Sequence, residues 1–401
     1  MVDGRFQPFL FFPISILAYS LNFMPDSEDF FSNDSPEPCP GRVDLQSPDT
    51  VDPLQILLFE TSPYGNIDAI VQHDGKTIYF YLHPRETPER FSPKACWVRN
   101  LQTGPLVIQH EELLAGQPVA LPRTHTVQRQ PGSLPRPEQL EIVWFEEGNG
   151  AALLEHRPQP EGGSTPQTLA VIPPWSGMDG FHGYALECAA DSPVCWPLPR
   201  NPKLQQRIER AADFWRSFTQ PPDPFLVLRD QILDRYHIHF LGSPPHSVTP
   251  PATTQTGSWQ YFNIGGQRFP PRGLIQYTLA DREVIATVGM SLCPQPNVEL
   301  DTTEPENFRR VELGIEVTGQ RLKDCHDPDL LNKVRQQIAS MAAYPWKHFR
   351  WLKSSDTVQL AGLNRLTDSG NPFRLGVGEN PLQGLSYRAD PIQLLWFGWP
   401  H

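Results

Sequence analysis

The chain has 401 residues, enough for two or three domains, and 39% of them are hydrophobic, with ten Trp and 22 Phe, which is ample material for packed cores. The formal net charge is -12, and no run of Lys or Arg of the kind that tracks phosphates occurs, so nucleic-acid binding is disfavoured and a basic protein partner suits the charge. Proline is abundant, 45 residues against the ~5% of an average chain, and it clusters, which marks long turns and linkers around compact parts.

Phe9 to Phe23 is largely apolar, broken by Pro13 and preceded by Arg5, whose charge Asp3 offsets. It is too short to span a membrane, and no other segment approaches that length. Ala18 and Ser20 are the small residues a signal peptidase would need, while Met24 reads as a natural start. A leader that does not direct export is expected, with a cytoplasmic location; export stays open as the alternative. Residues 24–52 are acidic and rich in Ser and Pro, so 1–52 is expected to be leader plus disordered segment.

The first folded domain is expected over 53–219. Ile67–Val71 and Thr77–Leu82 read as strands joined by a hairpin at Asp74-Gly75. Leu140–Phe145 and Ala151–Leu154 flank a second turn at Asn149-Gly150, and Leu169–Ile172 is a further strand. A helix follows, capped by Asn201 with Pro202 at its first position, and Leu204, Ile208, Ala211, Trp215 and Phe218 form one apolar face.

The second domain is expected over 220–401. Asp223-Pro224 opens a helix carrying Phe225, Leu228, Ile232 and Tyr236. Residues 242–257 form a Pro-rich loop. Strands follow at Trp259–Ile264, Leu274–Leu279, Glu283–Val288, Arg310–Val317, Thr357–Leu360 and Ile392–Phe397. Leu274 to Val288 should be an antiparallel hairpin turning near Ala280-Asp281. Asp327-Pro328 opens a helix with Leu331, Val334, Ile338 and Met341, ended by Tyr344-Pro345. Runs of strands with few helices predict an α+β fold: two mixed or antiparallel sheet domains with a few packing helices.

The order of pieces in the last third carries a resemblance. Arg310-Val311-Glu312-Leu313-Gly314 precedes a helix, then Tyr344-Pro345, Trp351-Leu352, Asp356-Thr357-Val358, and finally Asp390-Pro391-Ile392-Gln393-Leu394-Leu395-Trp396. The series resembles the bacterial form of the Suppressor of fused domain over roughly 225–401. The stretches Phe80–Leu82, Cys96–Leu101, Ile142–Glu146, Ile172–Gly177 and Gly180–Tyr184 are similar to a domain that accompanies it. The resemblance implies a non-catalytic protein-binding fold, either a sequestering regulator or an immunity protein against a toxin, with no catalytic residue set to carry over. A further strand would be expected after Trp396; its loss would leave a sheet edge open.

Motifs for chemistry are sparse. Ser176 lacks the first Gly of a nucleophile elbow and reads as a turn, and Gly376-Val377-Gly378 reads as a loop. His237 and His239 have the spacing of two metal ligands on a strand, but also suit a helix end, and no third ligand is near. Asp324-Cys325-His326-Asp327 offers adjacent residues that do not converge. Glu146 and Glu147 read as a solvated hairpin tip pointing to opposite faces. Six Cys are thinly spread, and Cys188 and Cys195 are free thiols in a cytoplasm or a local disulfide if exported. No metal, cofactor or catalytic residue is therefore assigned. A hydrolase using Cys188 or His239, and a structural module of a secreted assembly, are the competing readings. The candidate partner-binding residues are Trp175, Phe181, His182 and Tyr184, with Trp346, His348 and Trp351. Displayed on a rigid loop they anchor an interface; packed beneath it they are core.

Overall fold

Strands β1 (Gln55–Thr61), β2 (Ile67–His73), β3 (Thr77–Pro84) and β4 (Lys94–Asn100) form an antiparallel meander. The computed structural model describes residues 54–398 apart from 87–90, 115–116, 129, 159–163, 178–180, 243–256, 265–268, 325–328, 361–362 and 364–371. The expected leader and acidic segment, most of the Pro-rich loop, Cys325, His326 and the Asp327-Pro328 helix opening lie outside the described residues. β2 alternates buried and half-buried positions, as a strand with one covered face should. The Asp74-Gly75 hairpin forms as read: Gly75 has φ +80°, and the Asp74 carboxylate accepts from the backbone N–H groups of Lys76 and Thr77 at 2.8 and 2.7 Å. The sequence reading missed β1.

After a short helix α1 (His110–Leu114), a second sheet runs in chain order through β5 (Leu140–Trp144), β6 (Ala151–Pro158), β7 (Ser164–Ile172), β8 (Tyr184–Ala185) and β9 (Trp196–Pro197). Its first turn differs from the expected two-residue hairpin. The positive φ (+76°) falls on Gly148, and Gly150 is needed for a different reason. A Cβ there would lie 2.7 Å from both the Ile172 carbonyl oxygen and the Pro174 nitrogen.

Helix α2 (Lys203–Ser217) joins the two halves. Leu204, Ile208 and Ala211 pack on the second sheet with Val143, Phe145, Ala152 and Val171, whereas Phe214 joins the core of the third sheet. Asn201 does not cap it: its side chain reaches the Tyr184 hydroxyl at 3.5 Å, and only its backbone carbonyl accepts, from Leu204 N–H. Helix α3 (Pro224–Leu241) is capped as expected, the Asp223 carboxylate accepting from Phe225 N–H at 2.9 Å.

The third sheet is built from β10 (Ser258–Asn263), β11 (Gly273–Thr278) and β12 (Arg282–Val288); then, past α4 (Val298–Asp301), β13 (Arg310–Thr318). Helices α5 (Gly319–Asp324), α6 (Leu330–Met341) and α7 (Tyr344–His348) lead to β14 (Thr357–Val358), β15 (Phe373–Val377), β16 (Ser386–Tyr387) and β17 (Asp390–Gly398). The order is β10-β11-β12-β13-β17-β15-β14, antiparallel except for the parallel β13–β17 pair, with β16 as a hairpin on β17. Both faces are covered. Leu228, Ile232 and Tyr236 of α3 pack with Ile275, Tyr277 and Val284 on one side; Leu330, Val334, Ile338 and Met341 of α6 pack with Leu274, Ile285 and Leu313 on the other. That explains the near-continuous apolar runs of β11–β13. The fold is α+β, with several sheets and few helices. Four local expectations are corrected. Leu330, rather than Leu331, is the buried residue at the start of α6; Pro345 sits in the first turn of α7 instead of ending α6; Gly376 lies in a strand; and β17 is interior, so among the described residues this sheet ends at β10 and β14.

Candidate functional site

The aromatic residues singled out from the sequence are mostly core. Phe181 and Tyr184 are buried, their rings 4.9 Å apart, and Trp196 closes the cluster 4.7 Å from Phe181. His182 is half-buried, burial lowers its pKa, and its carbonyl accepts from the Ser176 hydroxyl, which fixes Ser176 as a turn residue. Trp175 is half-buried beneath the Arg207 guanidinium, 5.2 Å away. Trp346 is 2% exposed, stacks on Tyr64 at 5.8 Å and donates to the Pro294 carbonyl at 3.1 Å. Trp351 is buried and donates to the Asp301 carboxylate at 2.6 Å, while His348 lies half-buried against Tyr344. Of the two readings open from the sequence, packing beneath the surface is the one found for Phe181, Tyr184, Trp346 and Trp351. Large rings with a polar handle are used here to close the core and tie neighbouring segments together.

The histidine pair is also resolved. His237 and His239 lie on α3, not on a strand, and residues two apart on a helix diverge. His237 is buried, its Nδ1 2.6 Å from the Leu233 carbonyl, and burial lowers its pKa; His239 pairs with Glu379 at 3.2 Å. Cys188 and Cys195 are free buried thiols in contact with each other; hydrogen bonding from Cys195 lowers the Cys188 pKa, and burial raises that of Cys195. Among the described residues, no group of three or more His, Cys, Asp or Glu is arranged to hold a metal, and no helix is long and apolar enough to cross a membrane.

The structure brings together a charged cleft that the sequence reading did not find. It encloses about 250 Å³ where the β5–β6 turn, α2, the start of β13 and the β16–β17 turn meet. Glu146 and Glu147 both line it, so they are not a solvated tip with opposed side chains. The chain has left the strand at Trp144, and strand alternation no longer applies. Opposite stand Arg207, Arg210, Arg309, Arg310, Arg388 and Asp390. Arg310, 1% exposed, is the hub: it reaches Glu146 at 3.0 Å, Asp390 at 3.1 Å and the carbonyls of Ser291 and Leu292 at 3.1 and 2.6 Å. Arg207 bridges Glu147 and Glu299, each at 2.7 Å, and Arg309 also grips Glu299. Arg388 contacts Glu146 at 3.4 Å and donates to the Arg210 carbonyl at 3.1 Å.

The environment separates the two glutamates. Burial raises the Glu146 pKa, against the opposing charges of Arg310 and Arg388. Burial also works to raise Glu147, but Arg207 and Arg309 outweigh it and hold the carboxyl below its ordinary value. The available signal was a pair of adjacent like-charged doublets at strand ends, Glu146-Glu147 after β5 and Arg309-Arg310 at the start of β13. Their convergence across 164 positions in the Arg310–Glu146 bond has no local signature.

A second surface feature is the outer edge of β1. This strand pairs with β2 on one side and with nothing on the other among the described residues. Its register shifts between Ile56 and Leu58, which turns Ile56 (60% exposed) and Phe59 (54%) both outward, next to exposed Leu54. A search against known proteins found no matching family model, no similar curated protein and no similar solved structure.

Proposed function

We propose that the chain is a non-catalytic protein-binding protein of the Suppressor of fused kind, an immunity protein or a sequestering regulator. It takes an extended segment of a basic partner onto the free edge of β1. The observation that carries this reading is the outer edge of β1, which pairs with nothing among the described residues and exposes apolar side chains. Proteins blunt edge strands with Lys, Pro or charge; the one charged residue of β1 (QILLFET), Glu60, accepts from Trp144 Nε1 at 2.7 Å, and Ile56 and Phe59 are exposed. Strand addition supplies backbone hydrogen bonds for affinity, and alternate side-chain contacts supply selectivity. The net charge of -12 favours a basic partner and fast encounter.

The hydrolase reading gains no matching geometry. Cys188 is buried and its thiol donates to the Ala190 carbonyl at 3.0 Å, whereas His239 faces Glu379. The test is capture of the tagged chain from its own cells, with mass spectrometry and a salt series. One stoichiometric basic partner, released as ionic strength rises, is expected. A chain recovered alone, or a partner whose binding ignores salt, contradicts the proposal.

A further inference from the structure

We propose that the arginine-lined cleft is a binding site for a small oxyanion of the phosphate or phosphate-monoester class. Five guanidinium groups line it, those of Arg207, Arg210, Arg309, Arg310 and Arg388, against the carboxylates of Glu146, Glu147 and Asp390. Glu299, which bridges Arg207 and Arg309 from the side, is a fourth acid, so the cluster keeps one positive charge in excess. That excess stands out in a chain of formal net charge -12.

A purely structural ion network would be expected to close on itself. This one does not: beside the unpartnered Arg309 Nε–H it leaves Glu299 Oε2 buried without a donor, and one whole guanidinium, that of exposed Arg210, free of ion pairs among the described residues. An incoming oxyanion would supply acceptors for the Arg210 guanidinium, which lines the cleft and is open to solvent. Guanidinium forks suit tetrahedral and planar oxyanions better than an ammonium group does, because two parallel N–H bonds reach two oxygens.

The guanidinium groups are also held in advance. Arg207 lies 5.1 Å over Phe145 and 5.2 Å over Trp175, Arg310 lies 4.9 Å over Tyr387, and Arg388 lies 5.1 Å over Phe214. Preorganised side chains lose little freedom when a ligand arrives. The space of about 250 Å³ admits a phosphate group with a small substituent and is too small for a folded partner. Glu146 adds to the case: burial already favours its neutral form, and its protonation would raise the excess to two charges.

The test is calorimetric titration of the full chain with inorganic phosphate and with glycerol phosphate, against chloride of matched ionic strength. A chloride-corrected melting shift of about 3 °C is expected at a hundredfold excess over Kd. Arg210→Gln removes no ion pair seen in the structure, so it should melt like the parent without phosphate and bind phosphate about tenfold more weakly, a loss of one charge-assisted contact. Arg388→Gln should weaken binding further. A monoester that binds tighter than inorganic phosphate identifies an organic phosphate as the ligand; equal affinities identify the free oxyanion. No heat and no corrected shift at about 10 mM of either ligand, or parental affinity in both variants, overturns the proposal.

Discussion

Arg310→Met should unpick the junction of the two halves. The guanidinium is 1% exposed and makes four polar contacts: to Glu146, Asp390 and the carbonyls of Ser291 and Leu292. Methionine matches much of the volume but satisfies none of these groups. Two carboxylates would be left without their main partner in a part-buried site. Such half-removed buried pairs cost about 3–5 kcal/mol, even where replacing every member by apolar residues would be neutral. For a cooperative unit of this size that is a fall in Tm of roughly 4–7 °C. The loss should shrink in acid. Burial already raises the Glu146 pKa, and without Arg310 it rises further. A carboxyl whose folded pKa is raised contributes stability below its unfolded pKa and loses it as pH rises through the folded one. The variant should therefore approach the parent as pH falls below the ordinary carboxylate range and fall furthest behind at neutral pH. The assay is urea denaturation of both proteins over that range, with Glu146→Gln as the second arm of a double-mutant cycle. A loss below about 1 kcal/mol at neutral pH, or one that does not depend on pH, would refute the assignment of Arg310 as the hub.

Lys94 is buried, its ammonium 3.3 and 3.4 Å from the carbonyls of Asn149 and Pro174, and burial lowers its pKa to about 7. Stability from this group is present above the unfolded pKa and lost as pH falls toward 7, with a slope of up to about 1.4 kcal/mol per pH unit; Lys94→Met should abolish that slope in denaturation between pH 7 and 10. Glu312 is buried and accepts from Thr287 and Ser291 hydroxyls at 2.5 and 2.6 Å and from the N–H groups of Gly289 and Ser291 at 2.9 and 3.0 Å. Glu312→Gln turns a donor toward donors and should cost about 1–3 kcal/mol in urea melts. Trp346→Ala should cost about 3–5 kcal/mol by the same assay, since it removes a buried ring stacked on Tyr64. Phe59→Lys, at an exposed edge position, should leave Tm within about 1 °C and abolish partner capture.

Local chemistry was legible where it is local. The Asp74-Gly75 turn, the Asp223 cap and the apolar faces of α2, α3 and α6 follow from residues within a few positions of one another. Asn149-Gly150 misled because two kinds of glycine look alike in sequence: Gly148 supplies the turn, while Gly150 lets the chain approach Ile172 and Pro174. β1 was missed because QILLFET lacks the strict alternation of a half-buried strand; its irregular register exposes Ile56 and Phe59 together. For the aromatic loop residues the sequence leaves display and packing both open, because burial depends on what packs over them. The charged cleft joins Glu146, Arg207, Glu299, Arg310 and Arg388, and one of its bonds spans 242 positions. Only the folded arrangement of three sheets around α2 puts these side chains in one place.

The central claim is that β1 receives a partner strand, and hydrogen exchange of the complex tests it most directly. Backbone amides between Gln55 and Thr61 should gain protection when the captured partner is bound, with little change at the β10 and β14 edges. Unchanged exchange across β1 in a stoichiometric complex would contradict the account and move the binding surface elsewhere.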